Sequence, residues 1–196
     1  MEFHSICVYC GSSDRLNPVY LEGARAIGQT LAHNGIRLVY GAGKTGLMGA
    51  LADGALEAGG AVIGVVPVNL NTSQLIHNQL SQLEVVPDIH QRKARMIALA
   101  EAFIALPGGY GTFDELFETL TWAQIGLHHK PIGLLNIRSY FDPLLKMVDN
   151  AWVEGFIYPG HEKLLVVDKD PATLLIKLKE YQSPSDLERW VNRGKK

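Results

Sequence analysis

The sequence predicts an α/β fold, with a doubly wound, mostly parallel sheet that carries helices on both faces. The first observation is that short apolar runs alternate with longer segments of helical spacing along most of the 196 residues. The second is that these apolar runs are unbroken, which is typical of parallel strands buried on both faces. The third is that glycine-rich turns follow several runs, at the strand ends where such sheets bind ligands, so these turns should converge on one rim of the sheet.

Seven apolar runs are predicted to form the strands. They cover residues 5–9, 36–40, 61–66, 83–86, 102–106, 132–135 and 164–167. Six segments of helical spacing lie between or after them, at residues 18–33, 45–58, 89–99, 112–125, 141–153 and 171–181. Pro18 in a first turn, Asn34-Gly35 after a last turn and Asp88 before another helix are typical start and stop signals. With right-handed crossovers, this alternation gives a Rossmann-like sheet.

One long connection interrupts the alternation. Residues 68–82 are polar and have no clear period, and a connection of this length inside a compact domain is usually functional or mobile. We therefore predict a loop or lid there. The sequence has no linker and no repeat, so we expect one domain at residues 1–182 and a polar C-terminal tail at 183–196. Within that tail, residues 186–191 have the pattern of a short helical turn.

Composition excludes several classes of protein. Hydrophobic residues make up 47% of the chain and charged residues 19%, which is typical of a compact domain rather than a disordered one. The formal net charge of -2 gives no overall field that favours nucleic acid or an anionic membrane. There is no signal-peptide pattern and no apolar run approaching ~18 residues. We expect a cytoplasmic protein without nucleic-acid or membrane partners.

Two cysteines, Cys7 and Cys10, form a C-x-x-C pair in or just after the first strand. A metal site of this type usually needs a second pair or histidines, and a thioredoxin-like pair must open a helix. Residues 10–13 have the composition of a turn instead. We expect buried, reduced thiols.

The stretch at residues 107–115 carries the clearest functional signal. It follows an apolar strand and contains Gly108, Gly109 and Gly111 just before a helix. Glycines let a ligand approach the backbone, and free N–H groups at a helix start attract anions. Two carboxylates, Asp114 and Glu115, are expected in the first turn of that helix. A phosphate cradle beside paired acids predicts chemistry on a phosphorylated substrate.

The same stretch has a purely structural interpretation. Thr112 and Glu115 match a capping box, in which Thr112 caps the helix and Glu115 bonds back to a free N–H. A cap alone does not need three glycines before it, and Glu115, Glu118 and Thr119 share one helical side. We therefore favour a functional site.

A second glycine-rich turn follows the second strand. Residues 41–46 match G-x-G-x-x-G, the pattern of dinucleotide-binding turns. However, the next strand ends at Val66-Pro67 without the acidic residue that NAD binding needs. The turn is also similar to a Walker A loop, but Leu38 stands where that loop requires a glycine. We therefore predict only that this turn, with Gly43 near its centre, presents backbone N–H groups to a ligand.

Arg92 and Lys93 open the helix before the main glycine stretch. They form either a solvated basic face behind the N-cap Asp88 or a pair that reaches the same rim. A guanidinium suits bidentate contacts with phosphate or ribose, so Arg92 is the better candidate. Five of the seven histidines are considered as ligands; they are dispersed without metal-ligand spacing, and we expect no metal and no cofactor. They are His77, His90, His128, His129 and His161.

The two stretches at residues 88–93 and 107–115 together resemble the Lonely Guy family, cytokinin riboside 5′-monophosphate phosphoribohydrolases long catalogued as lysine decarboxylases. The resemblance covers about the first 180 residues. It includes Cys10-Gly11-Ser12-Ser13, Gly46-Leu47-Met48-Gly49, Thr121-Trp122-Ala123-Gln124 and Glu154-Gly155-Phe156.

The resemblance implies a homodimer, with active sites near the interface, that hydrolyses the N-glycosidic bond of AMP or N6-substituted AMP. Its catalytic residues would be Arg92 and Glu115. Substrate contacts would come from Lys93, Gly108, Gly109, Tyr110, Gly111, Thr112, Asp114, Glu118, Thr121, Gly43, Met48 and Gln74. Gln74 stands where some members carry a glutamate that contacts substrate. A carboxylate such as Glu115 stabilises the oxocarbenium-like state of glycosidic cleavage.

Two other functions are considered. A pyridoxal-phosphate lysine decarboxylase would need a Schiff-base lysine beside a phosphate cup, and no lysine fits both requirements. A non-catalytic carrier of a nucleotide or of the molybdenum cofactor would use the same fold and glycine turns. Such a carrier has no need for the Arg92 and Glu115 pair, which therefore favours an enzyme.

Overall fold

Strands and helices alternate along residues 1–184, the part of the chain that the computed structural model describes. The strands are β1 (Ser5–Tyr9), β2 (Arg37–Tyr40), β3 (Val62–Pro67), β4 (Gln82–Val86), β5 (Ala102–Ala105), β6 (Ile132–Leu135) and β7 (Leu165–Asp168). The helices are α1 (Pro18–His33), α2 (Gly46–Glu57), α3 (Ile89–Leu99), α4 (Tyr110–Gln124), α5 (Asp142–Val153) and α6 (Pro171–Glu180). Short 3₁₀ turns lie at Val68–Leu70, Ile137–Ser139 and His161–Leu164.

The strands form one sheet in the order β4-β3-β2-β1-β5-β6-β7, and every pair is parallel. β1 is the central strand, with Cys7 opposite Val39 of β2 on one side and Phe103 of β5 on the other. The chain winds outward in one direction through β2, β3 and β4 and in the other through β5, β6 and β7. The strand order therefore reverses beside β1, which is where a doubly wound sheet opens a ligand crevice. This confirms the predicted fold class.

Two hydrophobic layers cover the sheet. Because alternate side chains of a strand point to opposite faces, Ile6 and Val8 of β1 pack in one layer with α1, α2 and α6. Cys7 and Tyr9 pack in the other, with α3, α4 and Phe141. The free thiols of Cys7 and Cys10 are buried, as predicted. Burial raises the pKa of both thiols, so they stay protonated at neutral pH.

Most predicted elements agree with the structure to within one residue at each end. The exception is α4, which begins at Tyr110 instead of residue 112. Its N-cap is Gly109, and no side chain caps this helix. The predicted capping box is therefore wrong, because Thr112 already lies inside the helix. The two acids lie in the second turn, not the first.

The predicted loop after β3 is confirmed. Residues 68–81, named here the lid segment, cross from β3 to β4 with a single 3₁₀ turn. The segment is fastened to the turn after β2, where Gly43 bridges Ile76 and His77 donates its N–H to the Ala42 carbonyl at 2.9 Å. The Nζ of Lys44 also donates to the Ser73 carbonyl at 2.7 Å. These contacts place the lid segment beside the glycine turn.

Other sequence-based expectations concern the ends and surroundings of the chain. The predicted helical turn at 186–191 lies outside the described residues, and the domain boundary at residue 182 stays a prediction. Among residues 1–184 no helix is long and apolar enough to cross a membrane. The cytoplasmic location stays a prediction.

Candidate active site

A pocket of about 660 Å³ opens where the strand order reverses. Its walls come from the turns after β1, β2 and β5, the end of β3, the lid segment and one side of α3 and α4. Parallel strands bring these turns to one edge of the sheet although they are far apart in sequence. The sequence-based expectation that the glycine-rich turns converge on one rim is confirmed.

The turn after β5 is held tightly at its start and is open at its end. Pro107 accepts a hydrogen bond from the Gly11 N–H at 3.1 Å. A Cβ on Gly108 would lie 2.1 Å from the Thr112 hydroxyl oxygen, so no larger residue fits there. At Gly109 and Gly111, in contrast, a Cβ would meet no atom within 4 Å. The protein itself does not fill the space above the last two glycines.

The N-terminus of α4 lines the same part of the pocket. The first N–H groups of a helix have no carbonyl partner within the helix, and no side chain caps α4. Such an end carries a partial positive charge and suits a phosphate or another anion. Tyr110, the first residue of the helix, lies on the pocket rim with its side chain 95% exposed.

Arg92 and Glu115 face each other at the bottom of the pocket. Arg92 is buried on the first turn of α3, and its Nε donates to the Val65 carbonyl at 3.1 Å. Its Nη2 lies 3.7 Å from Oε1 of Glu115, which is also buried. At this distance the two groups form an ion pair without a tight hydrogen bond. The carboxylate therefore keeps lone pairs for a ligand.

Burial changes the acidity of this carboxyl group. It raises the pKa of Glu115 to about 7, although Arg92 acts in the opposite direction. Asp114 and Glu118 raise the pKa and Lys93 lowers it by smaller amounts. Glu115 therefore exists in both protonation states near neutral pH, which is the property that general acid–base catalysis requires.

Lys93 lies beside the pocket in a separate ion cluster. Its Nζ is 2.9 Å from Asp114 and 3.2 Å from Glu118, so this cation joins α3 to α4. Burial lowers the pKa of Lys93, but its hydrogen bonds to the two carboxylates more than compensate, and the pKa is raised overall. The cluster keeps the elements that carry Arg92 and Glu115 together.

The turn after β2 forms the opposite wall. A Cβ on Gly41 would lie 1.8 Å from Nη2 of Arg92, so glycine here makes room for the guanidinium. Gly46 has a φ of +59°, which favours glycine. A Cβ added at Gly46 would lie 2.5 Å from the Ser13 carbonyl oxygen, so there is no room for a side chain. The Leu47 N–H donates to the Gly11 carbonyl at 3.0 Å. The turns after β1 and β2 are thereby locked together.

The pocket has an apolar side that the sequence did not reveal. It is formed by Leu16, Tyr20, Met48, Leu70, Leu75 and Ile76. Only Met48 was predicted to be a site residue. The others come from the loop before α1, from α1 and from the lid segment, and no sequence motif marks them as pocket residues. Tyr140, from the loop after β6, also lines the pocket and was not predicted to be a site residue.

The structure brings most, but not all, predicted site residues to this pocket. Those that line it are Arg92, Glu115, Gly108, Gly109, Tyr110, Gly111, Thr112, Gly43 and Met48. Lys93, Asp114 and Glu118 form the adjoining cluster. Thr121 lies further along α4, where its hydroxyl donates to the Phe117 carbonyl at 2.7 Å. Gln74 is exposed on the lid segment, next to Ser73.

Metal-binding side chains do not cluster in the described part of the chain. No group of three or more His, Cys, Asp or Glu residues there is placed to hold an ion. Two of the histidines have structural partners instead. His77 bonds to Asp53 at 3.0 Å, and His128 to the Thr119 carbonyl at 3.1 Å.

Solved structures share this fold at low sequence identity. A molybdenum cofactor binding protein from the phototrophic bacterium Rippkaea orientalis superposes with a TM-score of 0.69 at 23% identity, covering 90% of this chain and 95% of that one. The molybdenum cofactor carrier protein from Chlamydomonas reinhardtii also gives a TM-score of 0.69 at 23% identity, covering 90% and 96%. At this identity the likeness shows the fold alone.

Sequence relatives are much closer. Residues 48–178 match the family model described as "Possible lysine decarboxylase". The chain is 46% identical over 182 residues to "Probable cytokinin riboside 5′-monophosphate phosphoribohydrolase LOGL5" from Oryza sativa subsp. japonica, covering 93% of this chain and 74% of the relative. It is 44% identical over 184 residues to cytokinin riboside 5′-monophosphate phosphoribohydrolase LOG7 from Arabidopsis thaliana, covering 94% and 85%. On this match, the chain belongs to the Lonely Guy family, whose family model bears the lysine decarboxylase description.

Proposed function

We propose that this protein hydrolyses the N-glycosidic bond of purine nucleoside 5′-monophosphates, AMP or N6-substituted AMP, to the free base and ribose 5-phosphate. The observation that carries the proposal is the buried Glu115, with a pKa near 7, facing Arg92 in a pocket that also contains an uncapped helix N-terminus. The relatives named for this activity support it.

The nucleotide is proposed to bind in one orientation. The phosphate binds at the first N–H groups of α4 and over the open faces of Gly109 and Gly111. Glu115 lies five residues further along the helix, roughly 7 Å along its axis. A ribose ring with its 5′-phosphate bridges this span, which brings the anomeric carbon to the carboxylate. The base then extends toward the apolar side of the pocket, which suits a purine with an apolar N6 substituent.

The chemistry follows from the charges at the bottom of the pocket. As the glycosidic bond breaks, positive charge develops on the ribose, and the Glu115 carboxylate stabilises it. The same carboxylate orients the attacking water and accepts its proton, which then passes to the departing purine so that the neutral base is released. Arg92 fixes the phosphate or ribose and positions the departing base. The low polarity around both groups strengthens these interactions.

Lysine decarboxylation is less well supported by the same pocket. Pyridoxal chemistry needs a lysine amine at the substrate site. Across residues 1–184, the side chains that line the pocket include Arg92 but no lysine. Two lysines are next in sequence to lining residues, and both amines are engaged elsewhere. Lys93 is held by two carboxylates, and the Nζ of Lys44 donates to the Ser73 carbonyl.

We also propose that the protein is a homodimer. Large apolar side chains are exposed on and just after α5, with Val153 at 73% and Phe156 at 83%. An interface covering this region would bury apolar area that otherwise contacts water. Light scattering coupled to gel filtration measures the molar mass, and a mass of one chain at micromolar concentration would contradict this part of the proposal.

The test of the proposed reaction is incubation with AMP, followed by chromatographic detection of adenine and ribose 5-phosphate. Glu115→Gln should lower base release at least ~100-fold while the variant still binds AMP. Glu57→Gln, an exposed glutamate that pairs with Arg25, is the matched control and should retain full activity. If the wild type releases no base from AMP or from its N6-isopentenyl derivative, the proposal fails.

A further inference from the structure

We infer that Tyr140 is a positioning residue that holds the phosphate-binding turn in its working conformation. The inference rests on the proposed function, because it concerns how that site binds the phosphate. The Tyr140 hydroxyl donates a hydrogen bond of 2.5 Å to the Gly108 carbonyl, at the start of the open part of the turn. The tyrosine lies 32 residues from Gly108 in sequence and reaches it from the loop after β6.

This hydrogen bond helps to fix where the next N–H group points. In a trans peptide the C=O and the following N–H point in opposite directions, so fixing the Gly108 carbonyl also fixes the Gly109 N–H. Gly109 has no Cβ and no protein atom in the space where a Cβ would lie. Glycine is the residue with the most backbone freedom, so this peptide would otherwise rotate. A turn ordered before binding loses less entropy when the phosphate arrives.

The tyrosine is itself held firmly. Its ring packs edge-on against Phe141, with the ring centroids 5.1 Å apart, and against Tyr20 at 6.2 Å. The buried Asn136 accepts from the Phe141 N–H at 2.8 Å, which closes the loop that precedes α5.

The backbone just before the tyrosine is strained. Arg138 and Ser139 have φ values of +53° and +61°, which non-glycine residues rarely adopt. Such strain persists only where the surroundings enforce it, and it clusters at functional sites. Here the strained turn delivers the Tyr140 hydroxyl to the Gly108 carbonyl.

The test uses Tyr140→Phe, which removes the hydroxyl and keeps the ring. Tyr181→Phe is the matched control, because its hydroxyl bonds to Ser183 beyond α6 and lies outside the pocket lining. Titration calorimetry measures the Kd of ribose 5-phosphate and of adenosine, which lacks the phosphate. Tyr140→Phe should weaken ribose 5-phosphate binding about fivefold, the effect of one hydrogen bond, and leave adenosine binding unchanged. Tyr181→Phe should change neither.

Two results would overturn the inference. One is an unchanged Kd for ribose 5-phosphate in Tyr140→Phe, and the other is an equal loss for both ligands, which would indicate a general structural effect. Base release from AMP is scored separately. A wild type that binds ribose 5-phosphate through Tyr140 but releases no base contradicts the proposed hydrolysis alone. A wild type that hydrolyses AMP and is indifferent to Tyr140→Phe contradicts this inference alone.

Discussion

Replacing Glu115 with glutamine should make the protein more stable at alkaline pH, although it removes the proposed catalytic group. The carboxyl is 7% exposed, and burial raises its pKa to about 7 from an ordinary value near 4.5. At pH values between these two pKa values, Glu115 holds a proton in the folded state that it has released in the unfolded state. The stability that the protonated group contributes is therefore present at low pH and is lost as the pH rises through 7.

The size of the effect follows from the two pKa values. A tenfold difference in proton affinity corresponds to about 1.4 kcal/mol, so the ionised carboxylate costs about 3 kcal/mol of folding free energy at pH 8. Glutamine has nearly the same shape and does not ionise. Glu115→Gln should therefore exceed the wild type in stability by about 3 kcal/mol at pH 8 and by less than about 1 kcal/mol at pH 5.

Urea denaturation of both proteins at the two pH values measures this difference. Glu57→Gln again serves as the control, since an exposed substitution should change the free energy of unfolding by no more than about 0.5 kcal/mol at either pH. A Glu115→Gln variant that is no more stable than the wild type at pH 8, or whose advantage is the same at pH 5, would refute the reasoning. A confirmed gain would show that stability is sacrificed at this site for function.

The other predictions concern the groups around this carboxylate. Gly41→Ala places a methyl group against the buried Arg92 guanidinium and should lower base release ~100-fold by displacing it. Because the pair with Glu115 is broken, the melting temperature should also fall, so activity is measured well below it; an active variant would contradict the assigned role of the guanidinium. Gly109→Ala introduces a methyl group into open space, so it should not lower the stability of the fold. It should weaken ribose 5-phosphate binding about tenfold in calorimetry, because the methyl group would occupy the space proposed for the phosphate. An unchanged affinity would argue against a phosphate at this turn. Lys93→Met leaves two carboxylates without their cation and should destabilise the fold by about 2 kcal/mol in urea. It should also raise the pKa of Glu115 further, so the pH profile of kcat/KM should move to higher pH, and an unmoved profile would contradict this electrostatic coupling.

The sequence by itself determined the architecture. Unbroken apolar runs require burial on both faces, and helical segments between them supply the cover, so a parallel sheet follows from hydrophobic periodicity alone. Helix ends marked by local signals were also determined, as at Pro18 and at Asp88, whose side chain accepts from the Gln91 N–H. The glycines before α4 indicated a ligand site because their effect is local to the backbone.

The start of α4 was not decided by local signals. Thr112 and Glu115 have the spacing of a capping box, yet Gly109 is the N-cap. The helix begins earlier because its position is set by packing. Glu115 is buried opposite Arg92 of α3. Tertiary contacts outweighed a cap that contributes about 1 kcal/mol.

Only the tertiary structure decided which groups act together. Arg92 and Glu115 lie on different helices, and their separation and common burial depend on how α3 and α4 pack on the sheet. The raised pKa of Glu115 exists only because that packing removes water from the carboxyl group. The link from Tyr140 to Gly108 and the apolar wall of the pocket arise in the same way, from contacts between segments distant in sequence. Local patterns fix secondary structure and chain order, whereas distances between side chains of different elements are fixed by the packing of the whole domain.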